Sequence, residues 1–424
     1  MNDSVAFGRH LRQLRTSRGL AQRDLAGDLV TASYVSLLES GRRVPTRTVL
    51  DHLAKVLGVP LSELTKLAQR NAEYPDGSSE HSPRFDAILV GYLDGGGEHA
   101  SAETLFAAFA AAREIDPVRA MEIGIWLAGI LDTWDEQIRR AALLRDLADP
   151  PGVAVGPNVQ AWLDAELIAA LHGLGRLSEA RALSDDARDR LTSADAPEPQ
   201  RAVRVLAETV SVLSDLGDVH GATDALAMLH KTLPAVADTG MAHWHAARAH
   251  SSIGEYGRAA QHLTLAIERL TAPMMPLAEW IKFCCFASGL LVETEGPSAM
   301  ALQWLVAAET GARALRLPGV RMRSEIARAR FEFAADRSET ALRHVEALPE
   351  VTQGPLTPME LVEARLFRGR LLMAAEQPAQ GAADLRKVID YCERIECYRL
   401  AMRAWRLLDD TRMGPDGAQA AMPN

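Results

Sequence analysis

The side chains able to do chemistry are poorly spaced for it. His243, His245 and His250 are of the right type for a transition-metal site, but they lie two and five apart. On a helix only residues three or four apart face together, so these read as core or surface histidines. Cys284 and Cys285 are adjacent, and Cys392 and Cys397 lie five apart. That is neither a disulfide framework nor a CxxC-type zinc spacing. No phosphate-binding Gly-rich loop, HExxH, GxSxG or GxGxxG stands in a usable context. Carboxylates are numerous but share helix faces with arginines, as solvated ion pairs do, and no nucleophile stands beside a base. The expectation is a chain without catalytic residues, metal or cofactor.

Charge is more informative than reactivity. The 424 residues carry 46 basic and 56 acidic side chains, a net −10, which at face value disfavours nucleic acid. Residues 1–70 alone hold eleven basic and six acidic side chains, a balance of +5, which leaves −15 on the rest. A basic segment on an acidic body points to a nucleic-acid module. The length predicts two to four domains, and 48% apolar with 24% charged residues is ordinary for a globular chain. The most apolar run, around Ala120–Leu131, contains Glu122 and is far short of the ~20 residues of a membrane span. The N-terminus lacks an apolar signal stretch. A cytoplasmic protein without membrane contact is expected.

Helical periodicity positions the basic residues. Phe7, Leu11 and Leu14 define a first helix ending at Gly19, a C-cap residue. Gln22–Asp28 is a second, with Leu25 and Ala26 inward. Thr31 N-caps a third, Ala32 to Ser40, stopped by Gly41. Pro45 and Thr46 open a fourth, with Val49, Leu50, Leu53, Ala54 and Leu57 inside and Gly58 after it. Pro60–Ala68 is a fifth, with Leu61, Leu64 and Leu67. Five short helices in about 65 residues can fold alone.

The runs Leu11–Arg15, Gly19–Gln22, Leu25-Ala26, Tyr34–Gly41 with Pro45, and Leu53-Ala54 with Leu57–Val59 resemble the phage-repressor-like (XRE) helix-turn-helix domain over residues 5–68. The resemblance implies that helix Gln22–Asp28 crosses the DNA backbone and helix Thr31–Ser40 lies in the major groove. Thr31, Ala32, Ser33, Ser36 and Leu37 then match positions facing DNA. Gln22 matches a phosphate contact at a helix start. Arg42, Arg43 and Arg47 sit where phosphates would be met, with a plain surface arginine as the alternative for Arg43. Arg15 and Glu39 match a partly buried ion pair between the first and third helices. Two departures stand out. Ala21 replaces the usual Ser or Thr N-cap, a loss of about 1 kcal/mol. The turn Leu29-Val30 is a residue short and lacks its glycine. Small readers such as Ala32 and Ser33 cannot make bidentate base pairs, so shape, phosphates and dimer spacing carry more of the specificity.

Residues 71–84 are polar with Pro and Gly and read as a linker. After them the chain is Ala/Leu/Arg/Glu-rich and helical. Short turns recur at Gly175-Arg176, Gly217-Asp218, Gly254-Glu255, Gly296-Pro297, Asp336-Arg337 and Glu376-Gln377, at intervals of 42, 37, 42, 40 and 40 residues. A period near 40 in a helical chain means stacked helix pairs. The fold expected is all-α: a helix-turn-helix domain at 1–70, the linker 71–84, a solenoid at 85–411 and a flexible tail at 412–424. Met241–Leu270 is the best unit, with Ala247 and His250, then Tyr256, Ala259, Leu263 and Ala266 inward; it resembles the tetratricopeptide (TPR) repeat. Gly289 with Ala301, Leu305 and Ala308 is a second match, and Gly369 with Leu385 a weaker one.

A solenoid's concave face is lined by the first helix of each pair. The positions mapped there are Trp162, Arg204, Trp244, Arg248, Ser251, Phe283, Phe286, Arg323 and Arg330. Aromatics with arginines suit a peptide or small acidic ligand. The competing place for each aromatic is the core between repeats, and the −15 charge would instead suit a cationic ligand. A helix-turn-helix domain joined to TPR-like repeats resembles the peptide-responsive quorum-sensing regulators grouped as RRNPP. That resemblance implies a homodimeric transcription regulator that binds promoter DNA and answers to a peptide or small-molecule effector. The rival expectation is an interaction protein whose repeats bind another protein.

Overall fold

The computed structural model describes residues 3–26, 32–40, 47–59, 64, 99–133, 136–149, 155–193, 195–271, 275–375 and 377–417. Among these residues there are twenty α-helices, one short 3-10 helix and no strand. The chain divides into two compact units, Met1–Asp86 and Ala87–Asn424. The expected linker lies outside the described residues.

The first unit holds α1 (Asp3–Ser17), α2 (Gln22–Ala26), α3 (Ala32–Glu39) and α4 (Arg47–Leu57). Phe7, Leu11, Leu25, Val35, Leu38, Leu53, Leu57 and Leu64 form one buried core. Of the fifth helix expected over 60–68, only Leu64 is among the described residues. Gly19, at φ 67°, ends α1 in the left-handed region that glycine enters without strain. Gly8 allows α1 to cross α3: a Cβ there would stand 2.5 Å from the Leu38 carbonyl oxygen and 2.6 Å from that of Glu39. The missing cap at Ala21 is partly compensated. Its backbone N–H donates to Asp24 Oδ2 at 2.7 Å, the returning half of a capping box.

The second unit opens with α5 (His99–Ile115), α6 (Pro117–Thr133) and α7 (Gln137–Ala148). Six helix pairs follow. They are α8 (Pro157–Gly173) with α9 (Leu177–Leu191), α10 (Pro199–Asp215) with α11 (Val219–Thr232), and α12 (Gly240–Ser252) with α13 (Tyr256–Arg269). Then come α14 (Leu277–Glu295) with α15 (Ala299–Leu315), α16 (Pro318–Ala334) with α17 (Ser338–Val345), and α18 (Pro358–Ala374) with α19 (Pro378–Arg394). Helix α20 (Tyr398–Gly417) ends the array.

The expected turns fall between the two helices of each pair. Gly175, Gly217, Gly254 and Gly296 have φ of 73°, 74°, 85° and 77°, and Asp336 has 59°. Glu376 lies outside the described residues. The first helix of a pair is packed on two sides, and α10 accordingly buries Ala202, Val203, Val205, Leu206, Ala207 and Val210 in a near-continuous run. The second shows a narrow stripe: α13 buries Ala259, Leu263 and Ala266, at positions i, i+4 and i+7. Tyr256, expected inward, is 38% exposed: it continues that stripe one turn earlier but, in the first turn of α13, opens onto a cavity rather than a packed neighbour. Gly369 faces α19 so closely that a Cβ would reach Leu385 Cδ2 at 2.8 Å.

The array curls until its ends meet. Helix α8 packs on α18, and α10 packs on α20. His172 Nε2 lies 2.7 Å from Asp215 Oδ2, and Arg399 Nη2 lies 2.6 Å from Asp215 Oδ1. Of the tail expected over 412–424, residues 412–417 continue α20, and 418–424 lie outside the described residues.

Candidate functional site

In the first unit, α3 is held from behind. Arg15 Nε donates to Glu39 Oε1 at 2.5 Å and Nη2 to Oε2 at 3.0 Å. Arg15 Nη1 also donates to the Leu20 carbonyl at 2.7 Å. The expected ion pair therefore exists, and it is bidentate. Gln22 joins it: its Nε2 donates to Glu39 Oε2 at 2.9 Å. Burial pushes the Glu39 carboxyl up, but the bonds from Arg15 and Gln22 and the charges of Arg15 and Arg12 outweigh it and hold it below the usual carboxylate range. The side chain expected to reach a phosphate is thus bound to α3 here. Ala32, Ser36 and Leu37 are exposed on α3, while Val35, Leu38 and Glu39 are buried. Thr31, Arg42 and Arg43 lie outside the described residues, as do the side chains of Ser33 and Arg47.

In the second unit the curled array encloses a cavity of about 840 Å³, within the range of small-molecule sites. Of the expected groove residues, Arg248, Ser251, Phe286, Arg323 and Arg330 line it. Trp162, Arg204, Trp244 and Phe283 do not. Trp162 is half-buried on α8. Arg204 is turned to Glu166 at 2.5 Å. Trp244 and Phe283 are core: their rings meet edge to face at 5.4 Å, and Phe283 meets Trp304 likewise at 5.4 Å. First helices are buried on both sides, so their large apolar residues turn toward the next repeat.

The cavity wall is a ladder of ion pairs. Arg140 on α7 binds Asp132 on α6 at 3.1 Å and also Glu166 on α8. Arg248 on α12 binds Glu208 on α10 at 2.7 Å. Arg323 on α16 binds Glu360 on α18 at 2.5 Å. Lys282 on α14 reaches Asp132 at 2.7 Å, joining segments 150 residues apart. Burial pushes the Glu208 and Glu360 carboxyls up, but Arg248 and Arg323 outweigh it and hold each at about 2. Burial, with Arg204 and Arg248, pushes the His245 imidazole down to about 3, so it is neutral. Burial pushes the Cys285 thiol up to about 12, so it is a protonated wall group rather than a nucleophile.

Not every cation is paired. Among the described residues Arg370, Arg403 and Arg406 line the cavity without a carboxylate partner. Arg370 lies over the Phe333 ring at 5.0 Å and Arg330 over Phe367 at 5.9 Å, and these two rings meet edge to face. Phe333, Phe367, Arg370, Arg403 and Arg406 were not among the expected groove residues. Phe333 follows Arg330 by three and so shares its helix face, a signal present in the sequence.

Such a molecule is a helix-turn-helix domain joined to a closed solenoid of helix pairs with a charged, aromatic cavity. Residues 6–67 match the family model of a helix-turn-helix domain. A search of curated proteins returned no significant match. Among solved structures, the chain is similar to PlcR of Bacillus thuringiensis in complex with the peptide PapR7 and DNA, at 15% identity and TM-score 0.35, over 73% of this chain and 95% of that one. It is similar to the Rap conjugation gene regulator of plasmid pLS20 in complex with a Phr peptide, at 12% identity and TM-score 0.49, over 93% and 95%. A tetratricopeptide repeat protein of Parabacteroides merdae aligns at 14% identity and TM-score 0.36, over 67% and 98%. No helix among the described residues is long and apolar enough to cross a membrane.

Proposed function

We propose that the protein is a sequence-specific DNA-binding transcription regulator whose solenoid dimerises and takes an anionic peptide or small-molecule effector into its cavity. One observation carries the reading: a helix-turn-helix domain shares its chain with a cavity of about 840 Å³ that presents arginines without carboxylate partners. Cations held beside aromatic rings suit a ligand with a carboxylate or phosphate and an apolar body. The acidic net charge of the chain does not set the polarity of this wall, so the cationic-ligand alternative is set aside. The effector acts by preferring one curvature of the solenoid, and it shifts DNA binding only by its differential affinity for the two states. In a dimer that shift changes the spacing of two recognition helices, which must lie about 34 Å apart to enter successive major grooves.

The test is selection of bound genomic fragments by the purified chain, with and without an extract of the native culture. Enriched sites that change with the extract are expected; random recovery in both conditions favours the interaction-protein reading. Phosphate contact by Arg42 and Arg43 is tested on one selected site. The double change Arg42→Ala/Arg43→Ala should lower the salt dependence of binding by roughly two counterions. An unchanged slope removes both residues from the interface.

A further inference from the structure

Helix packing brings together histidines that the sequence scatters. His230 on α11, His250 on α12 and His262 on α13 each offer a ring nitrogen, and these atoms lie within 4.8 Å of one another. The rings stack, His230 on His250 at 4.9 Å and His250 on His262 at 5.3 Å. The spacing of His243, His245 and His250 excludes a site on one helix. It does not address a site built between three helices, to which that trio contributes only His250.

The surrounding bonds fix how these rings present themselves. His250 is fully buried, and its Nδ1 lies 2.8 Å from Glu255 Oε2. A carboxylate only accepts, so Nδ1 carries the proton and Nε2 is a bare lone pair. That Nε2 points at His230 Nε2, 2.9 Å away. His243 Nε2 donates to the Ala237 carbonyl at 2.8 Å, which leaves its Nδ1 bare, 3.2 Å from His262 Nδ1. His243 therefore holds the His262 ring as Glu255 holds His250. The Glu255 carboxylate behind His250, and the carbonyl-anchored His243 imidazole behind His262, are outer-shell partners of the kind that orient imidazoles on a metal.

We infer that His230, His250 and His262 form a binding site for one divalent transition-metal ion of the zinc type, with Glu255 and His243 as positioning residues. Three neutral imidazoles without thiolate select zinc, nickel, cobalt or copper over magnesium or calcium. Ligand nitrogens ~3.3 Å apart would suit a tetrahedral ion at ~2.05 Å, a spacing between the 2.9 Å and 4.8 Å found here. Binding would draw the widest pair together by up to about 1.5 Å and turn the stacked rings so that their lone pairs converge on the ion. His230 and His262 retain solvent exposure, so an ion can enter. Three protein ligands leave a fourth position for water. The ion would pin α11 to α12 and α13, and so lock two consecutive helix pairs together.

The experiment uses the full chain without a histidine tag, stripped with chelator and titrated with Zn(II), then with Co(II) as a spectroscopic substitute. One tight Zn(II) per chain, a tetrahedral Co(II) absorption and a raised melting temperature are expected. His230→Gln and His262→Gln, both away from the apolar core, should each weaken binding at least about tenfold while leaving the metal-free circular dichroism unchanged. Glu255→Gln should weaken it about 10- to 100-fold. No tight Zn(II) in the wild type overturns the site. So does equal binding by the His230→Gln/His262→Gln double variant, which would assign the ion to other histidines.

Discussion

Removing the Glu39 carboxylate tests how α3 is held. Its side chain is 4% exposed and that of its partner Arg15 is 11% exposed. Glu39→Ala deletes two bonds from Arg15 and one from Gln22. It leaves a guanidinium with one remaining acceptor, the Leu20 carbonyl. Breaking a buried pair from one side costs about 3–5 kcal/mol, mostly because the remaining charge is stranded. A domain of the size matched by the family model is stable by roughly 3–9 kcal/mol, so the change removes a third or more of its stability. Amide hydrogen exchange on the full chain reads this directly. At 1.36 kcal/mol per decade, protection in α1 and α3 should fall by roughly 2.2–3.7 decades, while the solenoid is unchanged. The pH dependence follows from the lowered native pKa. The contribution is fully present above the unfolded carboxylate value of about 4.3 and is lost as pH falls through the lower native value. Acid should therefore loosen α1 and α3 in the wild type and change little in Glu39→Ala. Protection within tenfold of wild type would refute the reasoning. A refutation would also come from Arg15→Met/Glu39→Leu, if it proved no more stable than Glu39→Ala, since removing both charges should recover most of the loss.

Gly8→Ala sets a Cβ against two backbone carbonyl oxygens that cannot move aside. It should cost about 1–3 kcal/mol and reduce exchange protection in α1 and α3; unchanged protection would mean the crossing has slack. Trp244→Ala empties a 3%-exposed site in the aromatic core between α12 and α14. A loss of about 3–5 kcal/mol in solenoid stability is expected, read as a lower melting temperature, and an unchanged melt would place the indole outside the core.

The sequence disclosed the architecture because the turns are chemically demanding. A short reversal between antiparallel helices needs a residue at positive φ, and glycine supplies it at four of the turns. The Arg15–Glu39 pair was legible because residue types and spacing recur together in a motif. The cavity was legible only in part. First helices are buried on two sides, so periodicity does not separate Trp244, which packs between repeats, from Phe286, which faces the cavity. Closure was illegible because Asp215 and Arg399 are 184 residues apart. The histidine cluster was missed for the same reason: a rule about neighbours on one helix says nothing of nitrogens contributed by three.

Closure also changes how the solenoid comes apart. An open array of repeats is stabilised by nearest neighbours and can fray from either end, one pair at a time. Here Asp215, near the start of the array, is gripped by Arg399 in its last helix, and Lys282 reaches back to Asp132. The end pairs therefore protect each other, and losing the last helix exposes the first ones. Such long-range contacts form only after a large loop has closed, which slows folding. Unfolding becomes one concerted opening, and a chain shortened at α20 should lose order around α8 and α10, far away in sequence.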